Sequence, residues 1–263
     1  MDPFRDVERA RGWLRRSPPS SRAVHEARKS LRRARAVLRL GRGTAVAADC
    51  ARAASACRRA ARALAPLRDE RVFADTLARL VSRRGAGLPP EARARGRALA
   101  LRARRAEARA LSRGAPLRRA RAALGSCPRG PGPEGFARAV APALEVRLAK
   151  AYRRGRRDYR AARAFPRKDR FHDLRKDSKM LRHELEEAAP RSAEIEGLRR
   201  LGAILGEEHD LTMVRARLAR SPDAAALRRL ARRRRRRLRR RALVLAKGLF
   251  SKRRRGDAII GGP

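Results

Sequence analysis

One short pattern occurs twice in the chain, in stretches that begin at His25 and His172: a His followed by basic residues three, four, seven and ten positions later. At about 100° per residue, these offsets fall within an arc of about 120° on an α-helix. Each stretch therefore places one His and four cations on a single stripe. Because like charges at this spacing repel by roughly 0.2–0.5 kcal/mol a pair, we expect an anion to compensate them. The stripes are His25, Arg28, Lys29, Arg32 and Arg35, and His172, Arg175, Lys176, Lys179 and Arg182.

The apolar residues of both stretches recur on another side of the same helices. Val24, Leu31 and Leu38 are seven apart, and Leu174 and Leu181 repeat that spacing in the second stretch. Each stretch is thus predicted to be an amphipathic helix with a buried apolar face. Ala and Arg, both strong helix formers, are abundant in the rest of the chain, while aromatic residues make up only 3%. We therefore predict an all-α fold.

Glycines and prolines divide the chain into two halves. The stretch 125–135 is the strongest helix breaker and is interpreted as a linker between an N-terminal helical half (1–124) and a C-terminal helical half (136–250). The basic tail at 251–263 is expected to be flexible. Four helices are predicted in each half, with Ser20 or Ser21 capping the second helix and Asp169 capping the sixth. In the N-terminal half the predicted ranges are about 4–15, 21–40 (after the Ser20 or Ser21 cap, ending at Leu40), 44–83 with a kink at Pro66, and 91–123. In the C-terminal half they are about 136–164, 170–188, 192–219 and 223–250.

A second pair of matching segments indicates an internal duplication. Leu67-Arg68-Asp69 corresponds to Glu208-His209-Asp210, each downstream of a His stretch by a similar distance. Basic residues match easily by chance in a chain that has 72 of them, but two of only four His residues in equivalent places are much harder to obtain. A near-constant offset over two motifs is typical of a duplicated unit. We predict that Asp69 and Asp210 are structural and orient an Arg through an ion pair.

The net charge of +46 predicts a polyanionic partner, which composition alone narrows to nucleic acid, an anionic membrane or polyphosphate. Coding bias that replaces Lys by Arg on solvated faces explains part of this charge, but not the positions of the His residues. There is no apolar signal region, no apolar run long enough for a membrane span and no CxxC among the three Cys residues. We therefore expect a cytoplasmic protein.

The duplicated His-x-x-Arg-Lys pattern resembles that of the CHAD family, the conserved histidine α-helical domain. The segment Leu205-Gly206-Glu207-Glu208-His209-Asp210-Leu211 is similar to that family's second signature, and the resemblance covers about residues 20–250. It implies two four-helix bundles related by pseudo-twofold symmetry, with the basic stripes facing a central groove or pore. The first helix is short and followed by Pro18-Pro19, which leaves open whether the first bundle is complete.

The resemblance also implies a function, the binding of inorganic polyphosphate, often at polyphosphate granules. Carried over by position, the ligand-facing residues are the ten members of the two stripes. Three arginines ahead of the second stripe are weaker binding candidates: Arg153, Arg156 and Arg157. We expect no catalytic residues, no cofactor and no metal site.

Two other classes of function are weighed against this one. The first is an RNA- or DNA-binding protein that uses generic positive charge, although few aromatic residues are present to stack on bases. The second is an accessory subunit of an enzyme that metabolises polyphosphate or triphosphate. The chain has neither the Glu-x-Glu-x-Lys motif of CYTH catalytic domains nor a Walker-type phosphate loop, so we expect that it is not itself an enzyme.

Some residues fall outside these motifs. The dense run of arginines at 232–241 is interpreted either as the exposed face of the last helix or as a second polyanion patch or nucleic-acid contact, with generic polyanion binding favoured. His183 has no counterpart in the other half and is predicted to lie on the surface. Trp13, Tyr152 and Tyr159 are predicted to be packing residues.

Overall fold

The computed structural model describes residues 2–83 and 87–251, and within these residues it contains α-helices and no strands, which confirms the all-α prediction. Two short 3₁₀ turns, at Ala141–Ala143 and Pro222–Ala224, interrupt the series. Except for Ser251, the predicted tail at 251–263 lies outside the described residues. The helices are α1 (Pro3–Arg15), α2 (Ser21–Leu38), α3 (Ala47–Ala63), α4 (Ala65–Arg83), α5 (Pro90–Arg113), α6 (Ala115–Gly125), α7 (Gly132–Val140), α8 (Leu144–Ala164), α9 (Lys168–Ala188), α10 (Glu194–Leu218) and α11 (Ala225–Phe250).

Three of the predicted helices are divided in the structure. The range 44–83 becomes α3 and α4, which meet at Leu64, and Pro66 lies in the first turn of α4, where its missing N–H costs no hydrogen bond. The range 91–123 is divided by Gly114, whose φ of 68° ends α5 in the left-handed conformation that glycine adopts readily. The range 136–164 is divided by the 3₁₀ turn that contains Pro142.

Two predictions about local structure were wrong, and one was confirmed. Part of the proposed linker at 125–135 is helical, because α7 already begins at Gly132. Asp169 does not cap α9, since that helix begins at Lys168 and places Asp169 inside its first turn. The hydroxyl of Ser20 does cap α2, accepting a hydrogen bond from the backbone N–H of Ala23 at 3.1 Å.

The first bundle is complete despite its short first helix. Phe4, Val7 and Leu14 of α1 are buried in a hydrophobic core that is shared with α2, α3 and α6. Leu31 and Leu38, predicted to form the apolar face of α2, lie in the same core. The second bundle has a corresponding core formed by α8, α9, α10 and α11.

A third core joins the two halves of the chain. The apolar faces of α4 and α5 pack against the C-terminal part of α10 and the N-terminal part of α11. Phe73 and Leu77 of α4 are buried there together with Leu211, Val214 and Leu218 of α10. Residues on both sides of the stretch 125–135 therefore share one hydrophobic core, while the division of the chain into a duplicated pair of halves stays a prediction.

The two helices that carry the cationic stripes are in direct contact. Helix α2 packs against α9, and α4 packs against both α2 and α10. Each stripe helix is held in place by its own bundle, through Leu31 in the first and Leu174 and Leu181 in the second. Because the apolar faces of α2 and α9 are buried in their own bundles, the cationic sides of the two helices face each other where the bundles meet.

Candidate functional site

The stripes on α2 and α9 converge on one cavity of about 310 Å³, called here the α2–α9 cavity. Four of the five predicted residues on α2 and three of the five on α9 line it. Helix α4 adds Arg68 and Arg71, while α5 and α10 each add one carboxylate, Glu107 and Asp210. The predicted residues in its wall are His25, Arg28, Lys29, Arg32, Arg175, Lys179 and Arg182.

The other three predicted residues lie outside this wall. Arg35 and Lys176 line a second cavity of about 310 Å³, together with Arg58 of α3. The ring of His172 lies 5.3 Å from the ring of His209, measured between their centroids. The two stripes thus face one another along much of their length, and their remaining members continue onto neighbouring surfaces.

Four cations of the α2–α9 cavity have no carboxylate partner. Within the part of the chain that the structure describes, no carboxylate oxygen lies within 4.0 Å of the charged nitrogens of this set, whereas Lys29 has Glu26 at 3.5 Å and Arg182 has Glu186 at 3.6 Å. The Nε atom of Arg175 is buried and has no hydrogen-bond partner among the described residues. The cations without a carboxylate partner among the described residues are Arg28, Arg32, Arg175 and Lys179, of which Arg28 donates a hydrogen bond to the backbone carbonyl of Ala61.

Burial and mutual repulsion lower the pKa values of these cations. Burial, followed by the neighbouring charges of Arg175 and Arg28, lowers the pKa of Arg32 to about 10. The pKa of Arg28 falls to about 10, mainly through burial and then through the charge of Arg68. The pKa of Lys179 falls to about 7 for the same reasons, burial first, followed by Arg175 and Arg32. The cavity therefore concentrates positive charge at a cost in free energy that a bound anion would offset.

Two glycines of α10 lie beside Lys179. A Cβ atom at Gly202 would lie 3.4 Å from Cε of Lys179, and a Cβ atom at Gly206 would lie 3.7 Å from its Nζ. The lysine side chain therefore lies along the bare backbone of α10. It also lines a third cavity, of about 400 Å³, which includes Arg79 and Arg234.

Sequence reasoning gave no role to Arg68, which the structure places in the cavity wall. Nη1 of Arg68 donates to Oδ1 of Asp69 at 2.9 Å, and its Nη2 donates to Oδ1 of Asp210 at 3.3 Å. Both carboxylates therefore make an ion pair with an Arg, as their predicted orienting role requires. The Leu67-Arg68-Asp69 motif could have indicated a role for Arg68, because Arg68 corresponds to His209 when the two matching motifs are aligned.

His209 lies next to these groups and is uncharged near neutral pH. Burial, followed by the charges of Arg175 and Arg68, lowers its pKa to about 3. The pKa of His172 is also lowered, mainly by burial and then by Arg175. The two rings can therefore donate and accept hydrogen bonds but add no charge to the site.

Several further predictions concern residues away from the cavity. The weaker binding candidates on α8 are not among the described residues that line the α2–α9 cavity: Arg153, Arg156 and Arg157. The prediction that His183 lies on the surface was wrong: only 3% of it is exposed, and its Nδ1 lies 3.0 Å from Oε2 of Glu186. On α9, His183 faces the contact between the two bundles. The lack of a matching His in the other half of the sequence gave no indication of this burial. Buried Tyr152 and Tyr159, with the partly buried Trp13, are packing residues as predicted.

Residues 2–83 and 87–251 contain no group of three or more His, Cys, Asp or Glu residues that could hold a metal ion. No helix in these ranges is long and apolar enough to cross a membrane. Cys50, Cys57 and Cys127 are buried free thiols.

Comparison with known proteins identifies the family. The family model of the CHAD domain matches residues 5–219, a range that contains both stripes, Asp69 and Asp210. The chain belongs to the CHAD family. This CHAD domain has no match among the curated proteins or the solved structures with which it was compared.

Proposed function

We propose that this CHAD domain binds inorganic polyphosphate in the α2–α9 cavity, at polyphosphate granules. The observation that carries the proposal is the set of four cations without carboxylate partners, contributed by two helices that face each other. A linear polyphosphate offers charged oxygens on every phosphate and no base to recognise. Guanidinium groups can each donate two parallel hydrogen bonds to such oxygens, and Lys179 adds a point charge.

The length of the stripes suits an extended ligand. From His25 to Arg35 the first stripe runs ~15 Å along the axis of α2, at 1.5 Å per residue. Arg35 and Lys176 extend the basic surface from the α2–α9 cavity to the second cavity. A chain of several phosphates would contact both helices at once and release condensed counterions, so that affinity depends steeply on salt.

The composition of the cavity favours polyphosphate over nucleic acid. Among the described residues of its wall, no Phe, Tyr or Trp is present to stack on a base. The binding energy would therefore come from phosphate oxygens alone. A densely charged chain without sugars or bases meets more of the cavity's cations per unit length than a nucleic-acid strand.

Competition binding tests this preference. We expect a labelled polyphosphate of about 30 phosphates, bound at 150 mM salt, to resist displacement from the cavity by a nucleic-acid duplex present at tenfold higher phosphate concentration. Fluorescence anisotropy measures the displacement, with unlabelled polyphosphate as the control competitor. Complete displacement by the duplex would contradict a cavity that prefers polyphosphate.

We further propose that binding is not accompanied by catalysis. Among its described residues the cavity wall has two carboxylates, Glu107 and Asp210, and Asp210 is already paired with Arg68. We expect purified protein with polyphosphate and magnesium to release no orthophosphate above the background of a heat-denatured sample. Release that scales with protein concentration and is lost with Arg32→Gln would overturn the non-catalytic assignment.

A further inference from the structure

Helix α11 divides its arginines between two sides with different surroundings. The inner arginines are neutralised by the acidic pair of α10: Nη2 of Arg235 lies 3.1 Å from Oε1 of Glu208, and Nε of Arg239 lies 2.8 Å from the same oxygen. Arg234 pairs with Glu207. This arrangement shows that the helix can be anchored through ion pairs on one side while its other side is left unpaired.

Seven arginines on the other side of α11 are exposed and make no ion pair or hydrogen bond through their side chains with any described residue. Helix α11 contains no acidic residue. Their spacing places them within about half of the helix circumference and along ~18 Å of its axis. We call this set the outer face of α11: Arg229, Arg232, Arg233, Arg236, Arg237, Arg240 and Arg241.

The outer face is separate from the proposed polyphosphate site. Among the described residues that line the α2–α9 cavity, none belongs to α11. The shapes also differ, because the cavity is a concave site between helices and the outer face is the convex side of one helix. A single phosphate chain would contact only one row of this convex surface.

The size and charge of the outer face fit a nucleic-acid duplex. A duplex carries one charge per ~1.7 Å of its axis, which is about ten phosphate charges along the ~18 Å of the outer face. An α-helix with its side chains, about 10–12 Å across, also matches the ~12 Å width of the major groove of B-form DNA, which is bordered by two phosphate backbones. The outer face has no aromatic residue, so it offers nothing for the stacking on which single-strand binding depends.

We infer that the outer face of α11 binds the phosphodiester backbone of a nucleic-acid duplex, independently of the α2–α9 cavity. Arginine contacts to phosphates carry no sequence information, so this binding is without sequence preference. A single chain would then hold polyphosphate in its cavity and a duplex on α11 at the same time.

The test replaces six arginines of the outer face in the full chain: Arg232→Gln, Arg233→Gln, Arg236→Gln, Arg237→Gln, Arg240→Gln and Arg241→Gln. Binding of 24-base-pair DNA and RNA duplexes is measured by anisotropy against salt concentration. We expect affinity at 150 mM salt to fall at least about 100-fold and the slope of log K against log salt to fall by about 5. Affinity for polyphosphate should fall less than about tenfold, through the long-range field alone.

A matched control removes the same charge from another exposed surface. Six unpaired, exposed arginines of α5 and α6 serve this purpose: Arg97→Gln, Arg102→Gln, Arg105→Gln, Arg109→Gln, Arg113→Gln and Arg119→Gln. Circular dichroism establishes that both variants keep their helical content. The inference holds if only the α11 variant loses duplex binding; equal losses in the two variants would show generic charge and overturn it.

Two further arms identify the ligand. Comparison of the DNA and RNA duplexes shows which of them the outer face prefers, since both present the same phosphodiester chemistry. Polyglutamate, which has carboxylates but no phosphates, serves as the control ligand that represents an acidic protein. Polyglutamate that matches the duplex in affinity and in sensitivity to the α11 substitutions would overturn the assignment to nucleic acid.

Discussion

Replacement of the four unpaired cavity cations with glutamine (Arg28→Gln, Arg32→Gln, Arg175→Gln and Lys179→Gln) is expected to lower the affinity for polyphosphate at least about 10³-fold. A hydrogen bond to a charged group contributes ~1.5–3 kcal/mol, and a factor of ten in affinity corresponds to ~1.4 kcal/mol. Several such contacts in one buried site account for the loss. Isothermal titration calorimetry at 150 mM salt measures it directly.

The control for this variant removes four arginine charges that lie outside the α2–α9 cavity: Arg97→Gln, Arg102→Gln, Arg105→Gln and Arg109→Gln. These arginines are exposed on α5 and have no carboxylate within 4.0 Å among the described residues. We expect their loss to weaken binding less than about tenfold, through the long-range field alone. A folded cavity variant that binds polyphosphate as tightly as the α5 control would contradict the proposed function.

Removal of the half-buried charge of Lys179 is expected to stabilise the protein in the absence of an anion. Lys179→Met keeps an unbranched side chain, one atom shorter, beside Gly202 and Gly206, and it removes a cation whose neighbours, Arg175 and Arg32, repel it. We expect the free energy of unfolding to rise by about 2–4 kcal/mol at pH 6. Urea unfolding followed by circular dichroism measures this change.

The pH dependence of that difference follows from the pKa of Lys179, which is about 7 in the folded chain against an ordinary value of 10.5. Between these two pH values the unfolded chain binds more protons than the folded one, so wild-type stability rises with pH. The advantage of Lys179→Met should therefore be fully present below pH 7 and shrink as the pH rises toward 10.5.

Lys29→Met provides the matched control, because Lys29 lines the same cavity but is exposed and lies near Glu26. We expect its free energy of unfolding to stay within about 0.5 kcal/mol of wild type, both at pH 6 and as the pH rises toward 10.5. If Lys179→Met were no more stable than Lys29→Met at pH 6, the cavity would not impose the electrostatic cost inferred here.

The helical periodicity of the sequence predicted the stripes and the apolar faces well, because both depend on spacing within one helix. Leu31 and Leu174 are buried where the spacing of seven placed them, and Arg32 and Arg175 line one cavity. The ends of helices were less predictable. Whether Pro142 or Gly114 divides a helix depends on packing that a local pattern does not contain.

Contacts between helices distant in sequence could not be predicted from residue type. Arg68, Asp69 and Asp210 were recognised as parts of matching motifs, but the sequence did not reveal that Arg68 bridges the two carboxylates. In the same way, nothing in the run of arginines on α11 distinguished Arg235, which pairs with Glu208, from its exposed neighbour Arg236. These distinctions require the positions of α4, α10 and α11 in space.

The core shared by α4, α5, α10 and α11 has a consequence for the order of folding during synthesis on the ribosome. Phe73 and Leu77 of α4 emerge more than 100 residues before their partners Leu211 and Val214. Until α10 is made, this apolar surface lacks its main cover, and such exposed surfaces favour aggregation. The α2–α9 cavity depends on the same late helix, since Asp210 and Gly206 form part of its wall. A nascent chain therefore acquires its proposed binding site only after α10 has been synthesised.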